Sequence, residues 1–364
     1  MTASHSLHLA STPPPTPLSA SLTTHLANLF SSSGRNSLRT SVLPHLLTAI
    51  AATSHALRNA QDVSLAGSAN SFGDDQLNVD VLAEEAIRAS LAQCPSVVTA
   101  SSEEDPVEKP VQHTGLPFQV VEAEQDQAHG EVYTVAFDPL DGSSIIAPNW
   151  TVGTIFSLWD GTSALHASPR EKQIGAVLGV YGPRTTAVVA LRLPGLSDEK
   201  GVCFEVGLSE SKSKTGGQQE WDLIRPDVSY AAPPFKTRYF APANLRSTNS
   251  HAAYAKLVAH YMAENYTLRY CGGLVPDVVH ALVKRHGVYL SPVTETSKAK
   301  LRRLYELFPL ALVVECCGGR AVDPVTGEDI LGDKGVEGCD ERGGIVCGNA
   351  EEVEYAKRVL CGSD

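Results

Sequence analysis

The segment Val132-Tyr-Thr-Val-Ala-Phe137-Asp-Pro-Leu-Asp-Gly-Ser-Ser144 decides the fold. Its first half alternates as a strand does, and its acidic half follows directly, where α/β proteins place ligands. Pro139 fixes the backbone between Asp138 and Asp141, so both carboxylates and the Leu140 carbonyl can converge on one hard cation. The competing interpretation is a surface turn, since Asp, Pro and Gly are common turn formers.

The end of this segment predicts an anion-binding site. Gly142, Ser143 and Ser144 offer unhindered N–H groups and hydroxyls on the far side of the proposed cation. Magnesium prefers oxygen ligands and is usually held by few carboxylates together with substrate phosphate. The segment therefore predicts a phosphate that Mg²⁺ bridges to the protein.

Further carboxylates occur in similar settings. A charge placed directly after an apolar strand costs desolvation free energy unless something neutralises it, and a metal cluster would do so. The residues concerned are Asp74 and Asp80 within 72–80, Glu103 and Glu104 after Val97-Val98, and Glu315 after the apolar run 310–314.

Composition limits the possible functions. The 364 residues are 43% hydrophobic, which allows a substantial core. The formal charge of -12 argues against general binding of nucleic acid. No apolar run approaches the roughly 20 residues that cross a bilayer, so no membrane role is predicted.

Cysteine usage favours a reducing compartment, because the eight cysteines show no zinc-like spacing. Cys316-Cys317, beside Glu315, is a candidate redox-sensitive pair. The competing interpretation is that these thiols are buried and behave as small apolar residues, as buried thiols usually do.

Periodicity predicts alternating helices and strands. Residues 1–40 are expected to form a disordered or loosely docked arm, 41–235 a metal-binding half, and 236–364 a sugar-phosphate-binding half. Predicted helices span 43–59, 79–91, 250–264, 276–285 and 298–307. Predicted strands span 97–100, 132–137, 154–159, 174–181, 186–193, 287–290 and 310–315, with a hairpin and loops within 199–234.

Several motifs, in order, resemble the class 1 fructose-1,6-bisphosphatase family, and within it the sedoheptulose-1,7-bisphosphatases most closely. They are Asn70-Ser-Phe-Gly-Asp-Asp-Gln76, Ser102-Glu-Glu104, Phe137 to Ser144, Val152-Gly-Thr-Ile-Phe156, Tyr181-Gly-Pro-Arg-Thr-Thr186, Asn244-Leu-Arg-Ser-Thr248, Tyr266 to Asp277, and Lys298-Ala-Lys-Leu-Arg302. The resemblance implies a mixed α/β fold with the layered α/β/α/β/α architecture of sugar phosphatases.

The resemblance also implies residue roles. The ligands of two or three Mg²⁺ ions, which Mn²⁺ can replace, would be Asp74, Glu103, Asp138, Asp141, Glu315 and the Leu140 carbonyl. Asp80 and Glu104 match positions that orient and deprotonate the attacking water. The implied substrate-binding residues are Asp141, Gly142, Ser143, Ser144, Asn244, Arg269, Tyr270, Gly272, Gly273, Leu274, Lys300 and Arg302. Arg269 would reach a neighbouring subunit's site in a homodimer or homotetramer.

Three departures from the family pattern carry expectations. Ser291 stands where fructose bisphosphatases usually carry a substrate-contacting Tyr, which leaves room for a longer sugar. Val132 replaces a Lys of the family's AMP site, so inhibition by AMP should be weak. The stretch 64–69 lacks the regulatory Cys pair of plastid enzymes, which favours a cytoplasmic enzyme.

The sequence therefore predicts Mg²⁺-dependent hydrolysis of the 1-phosphate of sedoheptulose 1,7-bisphosphate. Fructose 1,6-bisphosphate is the close rival, either as a second substrate or as the true one. An inositol-phosphate phosphatase and an inactive, metabolite-sensing relative are the weaker alternatives.

Overall fold

A computed structural model describes residues 15–31, 33–69, 75–114, 131–193, 201–210, 218–295 and 297–362. Its helices are α1 (Ala20–Leu29), α2 (Leu43–Asn59), α3 (Asn78–Leu91), α4 (Ser143–Ile146), α5 (Pro169–Lys172), α6 (Ala252–Ala263), α7 (Leu274–Lys284), α8 (Phe308–Cys316) and α9 (Ala350–Cys361). A 3₁₀ turn covers Leu245–Asn249, and π-helical turns cover Leu38–Val42 and Arg303–Leu307.

The strands form two main sheets. They are β1 (Leu65–Ala69), β2 (Asp75–Leu77), β3 (Val97–Ser102), β4 (Lys109–Pro110), β5 (Tyr133–Asp141), β6 (Val152–Asp160), β7 (Gln173–Tyr181), β8 (Thr185–Leu191), β9 (Val202–Glu210), β10 (Gln219–Arg225), β11 (Tyr239–Pro242), β12 (Thr267–Leu268), β13 (Val288–Ser291), β14 (Leu301–Arg302), β15 (Arg320–Val322), β16 (Arg342–Gly343) and β17 (Ile345–Gly348). The larger sheet has the order β10-β9-β8-β7-β6-β5-β3-β4, and the smaller has the order β12-β11-β13-β17-β15.

Three hydrophobic clusters hold together five alternating layers of helices and sheets. In the first cluster, α1, α2 and α3 pack on one face of the larger sheet. In the second, α7 and α8 lie between the other face of that sheet and the smaller sheet. In the third, α6 and α9 cover the outer face of the smaller sheet. The predicted α/β/α/β/α architecture is confirmed.

Strand direction brings two acidic segments together. β3 and β5 are parallel neighbours, and Ser102 is paired with Phe137. Their carboxyl ends therefore meet at one edge, and the Glu103 N–H donates to the Phe137 carbonyl over 2.9 Å. All nine residues of β5 are buried, because helices cover both of its faces.

Two predictions near residue 300 are wrong. The stretch 298–307, predicted as one helix, contains β14 and a π-helical turn, and the stretch 310–315, predicted as a strand, belongs to α8. A short apolar run that is buried on every side shows no periodicity that would separate strand from helix. Pro309 near the start of α8 and Gly318, with φ of 79° after its end, are typical helix boundaries.

The N-terminal segment also differs from the expected loose arm. Ser19 caps α1 by accepting a hydrogen bond from the Leu22 N–H, and Leu22 and Leu26 are buried in the first cluster. These contacts make α1 part of the main core, so this helix is not loosely docked.

None of the helices in the described ranges is long and apolar enough to cross a membrane.

Candidate active site

Three carboxylates from three different elements meet at the edge where β3 and β5 end. Glu103 follows β3, Asp138 lies in β5, and Glu306 lies in the π-helical turn before α8. One oxygen from each lies within 4.8 Å of the others. Divalent cations that prefer oxygen are held by such groups of carboxylates.

The cluster is electrostatically unfavourable without a cation. Burial, followed by the neighbouring carboxylates Glu103, Asp141 and Glu306, raises the pKa of Asp138 well above its usual range. Burial likewise raises the pKa of Glu306 and of Glu103. Because desolvation and like charges both disfavour the ionised forms, a bound divalent cation would relieve both costs. The donor set thus fits the implied metal.

The acidic turn after Phe137 has the conformation that its spacing predicts. The Leu140 N–H donates to Asp138 Oδ1 over 3.0 Å, which closes a turn within the segment. Thr154 of β6 donates its hydroxyl to the Pro139 carbonyl over 2.8 Å. The turn therefore holds Leu140 and both aspartates against the sheet.

Asp141 connects the turn to the second half of the chain. Its two carboxylate oxygens accept N–H groups from Leu274 and Val275, over 3.0 and 2.6 Å, at the start of α7. A helix N-terminus favours a negative charge. Burial nevertheless raises the pKa of Asp141 to about 7, and the backbone N–H groups only partly oppose this shift.

The structure does not place Glu315 in the carboxylate cluster. Glu315 lies at the end of α8, where its carboxylate is 3.3 Å from the Arg192 guanidinium. Glu306 takes the place predicted for Glu315. Its Oε2 accepts the Arg302 N–H over 2.5 Å, a contact that becomes visible only in the folded chain.

Asp80 and Glu104 lie beside the cluster. Asp80 Oδ2 accepts the Leu77 N–H over 2.9 Å at the start of α3, so Asp80 also caps this helix. The other oxygen, Oδ1, is buried and makes no hydrogen bond to any described residue. Burial first, and Glu104 and Glu103 after it, raises the pKa of Asp80 to about 7. Glu104 accepts a hydrogen bond of 2.5 Å from Gln76 Nε2.

The predicted phosphate-binding residues directly follow the acidic turn. Gly142 has φ of 100°, a left-handed conformation that favours glycine, and it precedes the exposed Ser143 and Ser144 of α4. The predicted ligand Asp74 lies outside the described residues.

The loop 270–274, from the second half of the chain, leads to the N–H group of Leu274 that Asp141 accepts. Asp277 of α7 accepts the N–H groups of Cys271 and Gly272, over 2.8 and 3.1 Å, which fixes the loop before Gly273 and Leu274. Gly272 has φ of 100°. The Tyr270 phenol accepts the Asn244 N–H and remains 43% exposed. Asp277 thus shapes this loop, a role that the motif Tyr266 to Asp277 did not reveal in the sequence.

Two predicted cations differ in their environment. Arg302 is buried in β14, where its guanidinium pairs with Glu103 and donates from Nε to Asp340 over 3.1 Å. Lys300, two residues earlier, is exposed. Arg302 therefore lies in a strand, and not in the helix that was predicted over 298–307.

Arg269 lies apart from the carboxylates, at a large open cavity of about 950 Å³. Arg184 and His280 also line this cavity, and Trp150, with 55% of its surface exposed, forms part of its rim. An exposed tryptophan beside an exposed arginine is common at surfaces that bind another protein.

Comparison with known proteins gives a consistent result. Sequence profiles of the N-terminal and C-terminal domains of fructose-1-6-bisphosphatase match residues 27–198 and 234–361. A chloroplastic sedoheptulose-1,7-bisphosphatase of Triticum aestivum is 38% identical over 294 residues, which cover 81% of this chain and 66% of that protein. A class 1 fructose-1,6-bisphosphatase of Syntrophotalea carbinolica is 33% identical over 324 residues, which cover 87% of this chain and 89% of that protein.

Solved structures share the fold. A Toxoplasma gondii protein, provisionally named as a sedoheptulose-1,7 bisphosphatase, superposes with a TM-score of 0.74 at 31% identity, covering 93% of this chain and 98% of that chain. The fructose-1,6-bisphosphatase of Leishmania major superposes with a TM-score of 0.72 at 23% identity, covering 95% and 99%, which supports the fold alone.

The fold and the carboxylate site, taken with these relatives, define a class: the protein is a sugar bisphosphatase, a phosphoric monoester hydrolase. The chain belongs to the class 1 fructose-1,6-bisphosphatase family. The resemblance seen in the sequence is thereby confirmed.

Proposed function

We propose that the enzyme removes the 1-phosphate of sedoheptulose 1,7-bisphosphate, with fructose 1,6-bisphosphate as its rival substrate. One observation carries this proposal: a carboxylate cluster that fits divalent cations lies next to a strand, β14, that leads from exposed Lys300 to buried Arg302. A substrate with a phosphate at each end matches a site that offers metal ligands beside buried Arg302 at one end and the exposed cation of Lys300 at the other. The names of the plant relatives favour sedoheptulose, and those of the bacterial relatives favour fructose.

Glu103, Asp138 and Glu306 would hold Mg²⁺, with Asp74, Asp141 and the Leu140 carbonyl completing a set for two or three ions, which Mn²⁺ can replace. When bound, these ions would offset the phosphate charge and lower the pKa of the attacking water. In the reaction, the water oxygen attacks phosphorus, and the bond from phosphorus to the sugar oxygen breaks. Asp80 and Glu104 would orient the water and accept one of its protons, and transfer of that proton to the leaving sugar oxygen would give the sugar hydroxyl and inorganic phosphate as products.

Asp80 suits this role because its buried Oδ1 has no hydrogen-bond partner among the described residues and its pKa of about 7 lies near working pH. Gly142, Ser143 and Ser144 would receive the transferred phosphate. Tyr270, Asn244 and the loop Gly272 to Leu274 would line the sugar. Ser291, at the end of β13, would leave space for a seventh carbon.

The test is phosphate release from both sugar bisphosphates by the purified protein during a Mg²⁺ titration. We expect Asp138→Asn to abolish turnover, whereas the matched surface variant Asp227→Asn should not change it. Wild-type activity in Asp138→Asn would exclude the proposed site. A much larger kcat/KM for the fructose compound would reverse the substrate order, and lithium-sensitive turnover of inositol monophosphate would favour the inositol-phosphate alternative.

Oligomerisation is a second part of the proposal: Arg269 would complete a neighbouring subunit's site in a homodimer or homotetramer. Its exposure beside Trp150 and Tyr270 supports this role. Mixing inactive Arg269→Ala and Asp138→Asn subunits should restore about a quarter of wild-type activity in a dimer, because half of the random pairs carry one complete site. Without recovery in mixed dimers that are shown to form, Arg269 does not act between subunits.

The cytoplasmic location stays a prediction, because the plant relatives are chloroplastic and no described residue bears on it. Fractionation of source cells with an antibody to the native chain would decide it.

A further inference from the structure

The acidic turn interrupts the regular pairing of β5 with β6. In this antiparallel pair, Asp138 is opposite Ile155, and the next registered pair joins Asp141 to Gly153. Between these pairs β5 has two residues, whereas β6 has one, Thr154, so the strand carries a β-bulge. A bulge leaves its extra residue without a partner in the ladder. The pairing therefore raises the question of what holds the backbone between the two aspartates.

One peptide unit of the bulge is fixed on both of its sides. Its carbonyl, from Pro139, accepts the Thr154 hydroxyl over 2.8 Å. Its N–H, from Leu140, donates to Asp138 Oδ1 over 3.0 Å. Because the C=O and N–H groups of a planar trans peptide point in opposite directions, these two hydrogen bonds oppose rotation of the unit. The Leu140 carbonyl, an implied metal ligand, belongs to the next peptide unit, so such a rotation would also displace it.

Thr154 is itself held by Tyr181 of β7. The two hydroxyl oxygens are 2.7 Å apart, and both side chains are buried. Tyr181 is paired with Val152, two residues before Thr154, so the two side chains share one face of the sheet. Thr154 has a single hydroxyl hydrogen, which it donates to Pro139, because a carbonyl can only accept. Tyr181 must therefore donate to Thr154.

These hydrogen bonds form one chain that ends at the carboxylate cluster. Tyr181 donates to Thr154, and Thr154 donates to the Pro139 carbonyl. The Leu140 N–H of the same peptide unit then donates to Asp138. Aligned hydrogen bonds polarise one another, and donation to a carboxylate favours its charged form. The whole chain thus favours the ionised carboxylate that a divalent cation requires.

We propose that Thr154, supported by Tyr181, is a positioning residue for the metal: it holds the acidic turn in the conformation that binds the cation. This inference rests on the proposed function, in which Asp138 and the Leu140 carbonyl take up a divalent ion. Thr154 and Tyr181 act through the peptide unit between Pro139 and Leu140, and not on the ion itself. Removal of such outer partners commonly weakens metal binding roughly 10- to 100-fold.

The experiment measures binding of Mn²⁺ to the purified enzyme by calorimetry, without substrate. Thr154→Val keeps nearly the same shape but removes the hydroxyl, so the Kd for Mn²⁺ should rise about ten-fold. Thr154→Ser keeps the hydroxyl but removes a buried methyl group, so it should lose stability and still bind Mn²⁺ with wild-type affinity. Tyr181→Phe should give an intermediate Kd, because Thr154 keeps its bond to the Pro139 carbonyl.

The matched control is Thr134→Val in β5. Thr134 is also buried, and its hydroxyl also donates to a carbonyl, that of Gly161, over 2.9 Å. It lies four residues before Asp138, which is about 13 Å along a strand. Thr134→Val should therefore lower stability as Thr154→Val does, but leave the Kd for Mn²⁺ unchanged.

Turnover gives a second measurement of the same effect. In Thr154→Val, the Mg²⁺ concentration that gives half-maximal phosphate release should rise by the same factor as the Kd. A wild-type Kd in Thr154→Val, or an equal rise in Thr154→Ser or Thr134→Val, would overturn the inference. Absence of both Mn²⁺ binding and phosphate release in the wild type would instead overturn the proposed function, so the two failures are separable.

Discussion

Asp138 is held in place by the packing of its strand, although its buried position disfavours the charged form of its carboxylate. Every residue of β5 is buried, so the position of the carboxylate follows from sheet packing alone. Its pKa is raised because burial and three neighbouring carboxylates disfavour ionisation. Such a residue stabilises the fold poorly by itself and is retained for binding.

At the residue scale, Glu306 and Glu315 give a matched pair of glutamates. Glu306→Gln should lower kcat at least about 100-fold, because an electrostatic stabiliser of the reacting phosphate is lost. Glu315→Gln should keep near wild-type activity, since its carboxylate contacts Arg192 instead of the cluster. Phosphate release under saturating Mg²⁺ is the measurement. Equal loss in both variants would contradict the assignment of Glu306.

The acidic turn could be predicted from sequence because its information is local. Asp138, Leu140 and Asp141 are separated by one or two residues, and Pro139 limits the conformations between them. Glu306 could not be predicted in the same way. It joins the cluster only through the packing of α8 between two sheets, and no spacing along the chain encodes that contact.

At the element scale, α1 belongs to the core. Leu22→Ala should lower the free energy of unfolding by about 2–5 kcal/mol, the usual cost of a cavity at a buried leucine. Leu65→Ala, at a leucine that is 64% exposed, should change it by less than about 0.5 kcal/mol. Chemical denaturation of both variants measures the difference. A Leu22→Ala protein as stable as Leu65→Ala would restore the interpretation of a loosely docked arm.

The junction between β6 and α7 is a second test at this scale. A Cβ atom on Gly153 would lie 2.5 Å from Val275 Cβ, so Gly153→Ala must displace the start of α7. That displacement would weaken the N–H groups that Asp141 accepts. We expect stability to fall by about 1–3 kcal/mol, the usual range for overpacking, together with weaker Mg²⁺ activation.

The control for this variant is Gly338→Ala, where an added Cβ atom meets no heavy atom within 4 Å. Its stability and its Mg²⁺ dependence should match the wild type. If Gly153→Ala behaves like this control, α7 does not depend on the close contact with β6.

The positions of helices and strands were harder to predict from the sequence than the site motifs. The bounds of β6, β7 and β8 were predicted to within two residues, because alternation and turn residues mark these strands, whereas β5 runs to Asp141 instead of ending at Phe137. The fully apolar stretch of α8 carried no such pattern, and the burial of α1, which ends at Leu29, depends on a sheet whose strands lie between Val97 and Arg225. In both cases tertiary packing overrides the local signal.

At the scale of the whole molecule, metal and pH should act together on stability. Without metal, the pKa values of Asp80 and Asp141 are raised to about 7, above the unfolded value of about 4. The folded chain then binds more protons than the unfolded chain between about pH 4 and 7, so its stability falls as pH rises through that window. A divalent cation favours the ionised carboxylates and reverses this loss.

The expected result is a larger increase of Tm on Mg²⁺ addition near pH 8 than near pH 6, because protons compete with the cation at the lower pH. Scanning fluorimetry of the native enzyme measures it, with Asp138→Asn as the control that should show little response at either pH. An equal Mg²⁺ effect at both pH values would show that these carboxylates do not take up the cation.

The carboxylate cluster draws Glu103 and Asp138 from the first half of the chain and Glu306 from the second. Cation capture should therefore report that the two halves have docked, independently of any catalysis. A luminescent lanthanide such as Tb³⁺, excited through nearby tyrosines, should show no sensitised emission with either half alone. During refolding, the time at which this emission appears would measure the rate at which the two halves dock.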